Sequence, residues 1–199
     1  MNKLEVQKRV LKNGEPLSED LFTWDGNTRT FSSEEDSLVL DFVEQTDCTF
    51  KTGWDCTFKT GSGCTFDTSS GCTFDTGSNC TFKTSSGCTF KTGWDCTFKT
   101  GSGCTFKTSS GCTFDTSSGC TFDTGSNCTF KTGSGCVVVR RDIYEVIELV
   151  EGQTIKLNNY AISGYTVINP EKKIIIDGKD IEISKESFEE LKKQLLEEE

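Results

Sequence analysis

The chain has 199 residues, 31 acidic against 21 basic side chains for a net charge of −10, 12 cysteines and no histidine. An acidic chain without a basic stripe lacks the electrostatic footprint of a nucleic-acid binder, and cysteines without CxxC pairs or His do not make a zinc site. By segment, residues 1–47 carry −6, 48–135 carry +1, 136–168 carry −1 and 169–199 carry −4, so the acidity lies outside a near-neutral centre. Met1 opens no charged-then-apolar leader, and no apolar run reaches the ~18 residues of a membrane span. A soluble protein with no secretion signal and no membrane partner is expected, in a host-cell cytoplasm or a virion, with thiols mostly free.

In the amino-terminal flank, from Leu4 to Phe31, short β-type pieces are broken by turn pairs: Asn13-Gly14, and Asp25-Gly26 between Leu21–Trp24 and Thr28–Phe31. Both predict hairpins. Leu38, Leu40 and Phe42 then alternate with Val39, Asp41 and Val43, a strand with one apolar face that leads into Cys48 as a first, irregular rung. An open solenoid end exposes unpaired backbone and apolar core, so residues 1–47 are assigned as a β cap, with Trp24 part of it rather than a ligand platform.

From Cys48 to Gly135 one phrase, Cys-Thr-Phe-(Lys or Asp)-Thr plus three small turn residues, recurs every eight residues eleven times, and Cys136 closes the series. Fixed-period self-similarity means stacked structural units. Alternation sends positions 1, 3 and 5 (Cys, Phe, Thr) inward; the opposite phase would bury a Lys or Asp in every unit, at several kcal/mol or more each. Position 8 is Gly, Asn or Asp throughout, as in Gly63, Asn79 and Asp95, the types that tolerate a left-handed corner. Position 4 addresses the number of units per coil. With neighbours sixteen residues apart, seven of nine stacked charge contacts are opposite in sign; with a spacing of twenty-four, five of eight are. Two units per coil are favoured over three. The facing strands then set Phe against Phe at the centre and Cys against Thr at each margin, with Phe burial worth about 2 kcal/mol per side chain.

Three readings of the cysteines stand side by side: buried structural thiols in two columns, which the pattern favours; strained disulfides between successive rungs; and a metal chain, against which the absence of His and of tetrahedral spacing counts. Trp54 and Trp94 interrupt the small-residue corners and are predicted to be exposed, either as neutral corner variation or as contact points for a partner. One lies in an odd unit and the other in an even one, so a two-unit coil puts them on opposite edges. Ice binding is disfavoured, because outward position 4 is Lys or Asp in every unit and leaves a single Thr column beside a charged one.

After Cys136 the phrase gives way to Val137–Arg141, Ile143–Leu149, Thr154–Leu157 and Tyr160–Ile168, a second β cap over residues 137–168. Residues 169–199 are predicted as a small module: Ile174–Asp177 and Asp180–Ile183 form a hairpin across Gly178-Lys179, and Ser187 with Glu190 makes a capping box for a helix with Phe188, Leu191 and Leu195 on one face.

With these residues in view, the chain resembles a group of phage and prophage octapeptide-repeat proteins that carry the same CTFKTG array. In that group the array is followed by a segment like CVVVRRDIYEVIEL, here Cys136–Leu149, and a GYTVI ending, here Gly164–Ile168. The LVLDF approach (Leu38–Phe42) also resembles that group, and the IDGK hairpin with its Glu-rich helix is similar to a module at the ends of phage-associated proteins. The resemblance implies a phage origin and this architecture; the group brings no assigned activity or catalytic residues.

The sequence therefore predicts an all-β, parallel β-solenoid of 8-residue half-coils over 48–136, two per 16-residue rung, between β caps. No nucleophile–base pair, phosphate-cradling loop or metal spacing stands out, so the expectation is a non-catalytic structural spacer or virion scaffold with no cofactor. The alternative is a protein- or glycan-binding module that uses a solenoid face or the Trp residues to hold a host partner. Self-association through the carboxy-terminal helix or the solenoid ends is a further expectation.

Overall fold

The computed structural model describes residues 1–168, the backbone of 172–176 and 179–183, and Lys193. Eleven repeat strands, β6 (Thr49–Thr52) to β16 (Thr129–Lys131), carry one unit each and alternate between two sheets. Sheet neighbours are parallel and in register sixteen residues apart, Phe50 on Phe66 and Phe58 on Phe74. Two units therefore make one coil. The parallel stack begins with β4 (Thr30–Ser32) and β5 (Leu38–Phe42) and ends with β16 and β17 (Cys136–Arg140), about seven turns in all.

The side-chain phase follows the alternation. Every repeat Cys and Phe is buried, the Thr at position 5 is buried or nearly so, and Lys or Asp at position 4 faces outward. Phe rings stack along each column, 4.8 Å apart with 3° between planes for Phe90 on Phe106 and 5.3 Å with 13° for Phe50 on Phe66. They meet the opposite column edge to face, Phe98 against Phe106 at 5.1 Å. Both geometries suit the ring quadrupole, which adds about 0.5–1.5 kcal/mol per pair beyond burial.

Corners are left-handed wherever position 8 occurs: φ is +55° at Asp55, +58° at Asn79 and +73° at Gly71. The backbone of each corner bonds to the next rung, for example Asp55 N–H to Ser70 O and Asn79 N–H to Trp94 O, both 3.0 Å. Gly71 is needed for space as well as φ, because a Cβ there would lie 2.0 Å from Asp55 Oδ1 one rung below.

The outward charges sit in the expected columns, but three of the opposite-sign steps close to ion pairs: Lys91–Asp75 at 2.9 Å, Lys83–Asp67 at 3.6 Å and Lys131–Asp115 at 3.9 Å. All are exposed, so each is worth at most about 1 kcal/mol. They support the register without holding the rod together.

At the amino-terminal end, β1 (Val10–Lys12) and β2 (Glu15–Pro16) form the Asn13-Gly14 hairpin with both turn residues at positive φ. β3 (Thr23–Asp25) pairs with β4 across the Asp25-Gly26 turn. β5 buries Leu38, Leu40 and Phe42 and pairs Leu40 with Phe58, eighteen residues on, so the first rung is longer than the rest. Trp24 packs beside Phe42 and donates its indole N–H to Met1 O at 2.9 Å, a cap role. One expectation is corrected: Lys3–Gln7 are helix α1, not a β piece. Asn2 accepts the Glu5 N–H and Glu5 accepts the Asn2 N–H, a capping box whose Asn-x-x-Glu signal was present in the sequence.

At the other end β18 (Glu145–Leu149) folds back antiparallel on β17, β19 (Thr154–Leu157) on β16, and β20 (Tyr165–Ile168) on β19. The strands are shorter than expected, because Arg141–Tyr144 is a turn and Tyr160–Gly164 a loop. β21 (Lys172–Ile176) and β22 (Lys179–Ile183) pair as the predicted hairpin. Apart from Lys193, which is helical, the predicted helix lies outside the described residues.

Candidate functional site

The predicted contact residues are both exposed, Trp54 by 57% and Trp94 by 60%. Their backbones are held alike. Trp54 N–H donates to Asp36 Oδ1 at 2.9 Å and Trp94 N–H to Ser78 Oγ at 3.1 Å, and each carbonyl accepts an N–H from the corner one rung below. The rigid corner thus projects each indole into solvent. They lie five units apart, an odd number, so the structure puts them on opposite edges and does not bring them together: Trp54 falls in line with the corner at 69–71, Trp94 with that at 77–79.

The thiols form two ladders, Cys48 to Cys128 along one edge and Cys56 to Cys136 along the other, all free and buried. Each Sγ points into a corner. Cys72 Sγ lies 3.6 Å from Gly53 O of the rung below and 3.7 Å from Ser70 O of its own corner, and Cys112 repeats this with Gly93 and Ser110. Gly53 O receives only a long 3.4 Å bond from Ser69 N–H, so the thiol supplements a weak backbone bond. This explains Cys at position 1, since it combines small apolar volume with a weak donor. The stacked Cys128 thiol, with burial, pushes Cys112 up to about 11, while Cys128 is shifted down beside Cys112. Nucleophilic use calls for an accessible thiolate, and all twelve thiols are buried. Among the described residues no group of three or more His, Cys, Asp or Glu is placed to hold a metal ion.

Sequence reasoning missed Arg140. Its side chain is 0% exposed, although it occupies position 5 of the inward phase, stacked above Thr124. The guanidinium grips Asp142 through two bonds, Nη2–Oδ2 at 2.7 Å and Nε–Oδ1 at 3.2 Å. It also donates to the carbonyls of Ile162 (2.7 Å), Gly164 (3.3 Å) and Asn159 (3.3 Å), and Glu145 Oε2 lies 3.5 Å away. Burial tends to raise the Asp142 carboxyl, but the bonds from Arg140 and the Ala161 N–H, with the charge of Arg140, outweigh it and hold it below the ordinary Asp value. Continuing the inward count past Cys136 and Val138 would have flagged Arg140. Arg141 instead faces outward and pairs with Asp123 at 2.7 Å.

Surface hollows are shallow; one of about 530 Å³ is lined by Met1, Glu5, Lys8, Arg9 and Gln45, without convergent catalytic groups. No helix among the described residues is long and apolar enough to cross a membrane. No family model matches the chain, and no curated protein or solved structure matches it.

Proposed function

We propose that the chain is a non-catalytic structural spacer, a capped rod that holds its two ends at a set distance and angle. The observation that carries this reading is the equivalence of the rungs. Phe, Cys and Thr of successive units are committed to packing, and no repeat position is distinguished for chemistry. The stack from β4 to β16 spans about 29 Å at ~4.8 Å per rung. Resemblance of the array and its cap to phage and prophage proteins supports a phage-derived or virion-associated setting, without catalysis or cofactor.

The exposed indoles support a second reading, a binding module for a host protein or glycan, since a buried aromatic anchor is a common centre of an interface. One comparison separates the two. Deleting residues 96–111 removes one turn and shortens the rod by about 4.8 Å. The spacer reading expects this variant to fold normally with only its length changed in small-angle scattering. Affinity capture from host lysate with wild type and with Trp54→Ser/Trp94→Ser then tests the second reading. A partner kept by the deletion variant and lost by the Trp variant would overturn the spacer assignment.

A further inference from the structure

The two ends of the rod are finished differently. At the amino-terminal end the outermost strands are β2, which is Glu15-Pro16, and β3, which carries Asp25 and packs beside α1. Proline, charge and a covering helix are the usual devices that stop one sheet edge from pairing with another. At the carboxy-terminal end the outermost strand of its sheet is β20, Tyr-Thr-Val-Ile, with no charge, no proline and all four residues exposed. The next strand in the chain, β21, pairs with β22 in a separate sheet, and among the described residues no strand pairs with the outer edge of β20.

Backbone geometry tells which groups that edge offers. Asn158 N–H donates to Gly164 O, and hydrogen-bonded pairs alternate along an antiparallel ladder, so Thr166 and Ile168 bond inward to β19. Tyr165 and Val167 therefore turn their N–H and C=O outward. Their side chains lie on the core-facing side with Ile155 and Leu157, which are buried. Because β20 stands one strand beyond β18, Tyr165 remains 40% and Val167 41% exposed. Among the described residues, backbone groups without a partner and exposed core-side side chains thus fall on the same two residues.

We infer that β20 is a self-complementary docking edge that joins two copies of the chain, carboxy-terminal end to carboxy-terminal end, as a closed twofold dimer. The occupant follows from the pattern. An antiparallel partner must present outward groups at two residues separated by one, and β20 itself does so. With Thr166 on the twofold axis, Tyr165 exchanges N–H···O bonds with Val167 of the second copy and Val167 with its Tyr165. The same register packs Tyr165 against Val167 across the seam. β20 contributes no charge to repel its copy, whereas Glu15 and Asp25 would at the other end. The protected amino-terminal edges also keep the dimer from growing into a fibre.

The test is the mass of the full chain by sedimentation equilibrium at about 1–100 µM, with charge-reversal partners. Wild type is expected at twice the 22.0 kDa chain mass. Thr166→Lys and Thr166→Glu, on the exposed outer face, should each be monomeric because like charges then meet on the axis, and an equimolar mixture should recover the dimer. Val167→Pro, which removes an N–H that β19 does not use, should also be monomeric with an unchanged β-sheet spectrum. A monomeric wild type, a dimer that survives both Thr166→Lys and Val167→Pro, or a mixture that stays monomeric would each overturn the inference.

Discussion

Arg140 Nη2 lies 2.7 Å from Asp142 Oδ2 inside the carboxy-terminal cap, and the guanidinium has no exposed surface. The pair ends the inward column of the solenoid: where the next rung would supply another Thr, the guanidinium ties the loop carbonyls of Asn159, Ile162 and Gly164 to the last parallel strand. Arg140→Met should therefore strand a buried carboxylate and cost about 3–5 kcal/mol in the cap. All three tyrosines, Tyr144, Tyr160 and Tyr165, lie in this cap, so Tyr fluorescence during urea unfolding reports it. The Tyr transition should move to lower urea than in wild type. Pairing Arg140→Met with Asp142→Leu should recover much of the loss, because two apolar residues leave no buried charge behind.

The same pair gives the cap a pH dependence of definite sign. The folded Asp142 carboxyl is held below its ordinary value, so its stabilisation is fully present above the unfolded pKa of about 3.9. It is lost as pH falls through the lowered folded value. Between pH 5 and 2 the Tyr signal should report loosening of the cap, and Asp142→Asn should flatten that part of the profile. An unchanged acid transition in Asp142→Asn would remove this carboxylate from the explanation.

Phe98 stacks on Phe82 at 4.8 Å and Phe114 at 4.9 Å, and meets Phe90 and Phe106 edge to face at 5.2 and 5.1 Å. Phe98→Ala opens a void that four fixed rings cannot fill, at a cost of about 3–5 kcal/mol. Phe98→Leu should cost less. Equal melting temperatures for the Ala variant and wild type would show that the stack is not what stabilises the array.

The thiol ladders should be silent to a disulfide reagent in the native protein and give twelve equivalents once it is denatured without reductant. Fewer than twelve would mean rung-to-rung disulfides. Rapid native reaction would mean that the corners open far more often than their backbone bonds imply.

How much of this was legible in the sequence differs between the array and its ends. The position of Trp54 on one edge and Trp94 on the other could be counted from the parity of their units. Arg140 could have been reached by continuing the inward count, and α1 by the Asn2–Glu5 capping box. The short turn at Arg141–Tyr144 and the loop before β20 had no comparable signal, because Ile143 and Ile162 read as strand formers until the fold fixes where the chain must reverse.

The sequence by itself determined the half-coil: Cys, Phe and Thr inward, Lys or Asp outward and a left-handed residue after each strand; it favoured two units per turn, which the register of the stacked strands decided. It did so because each unit meets copies of itself, and any conflict of phase or charge recurs in every rung. Only the tertiary structure decided how the rod ends. The burial of Arg140 under the loop at 158–164, the cover that α1 gives β3 and the projection of β20 past β18 are contacts made once, between segments with no repeated partner. Their energy depends on how many strands each sheet receives at its end, which periodicity does not encode.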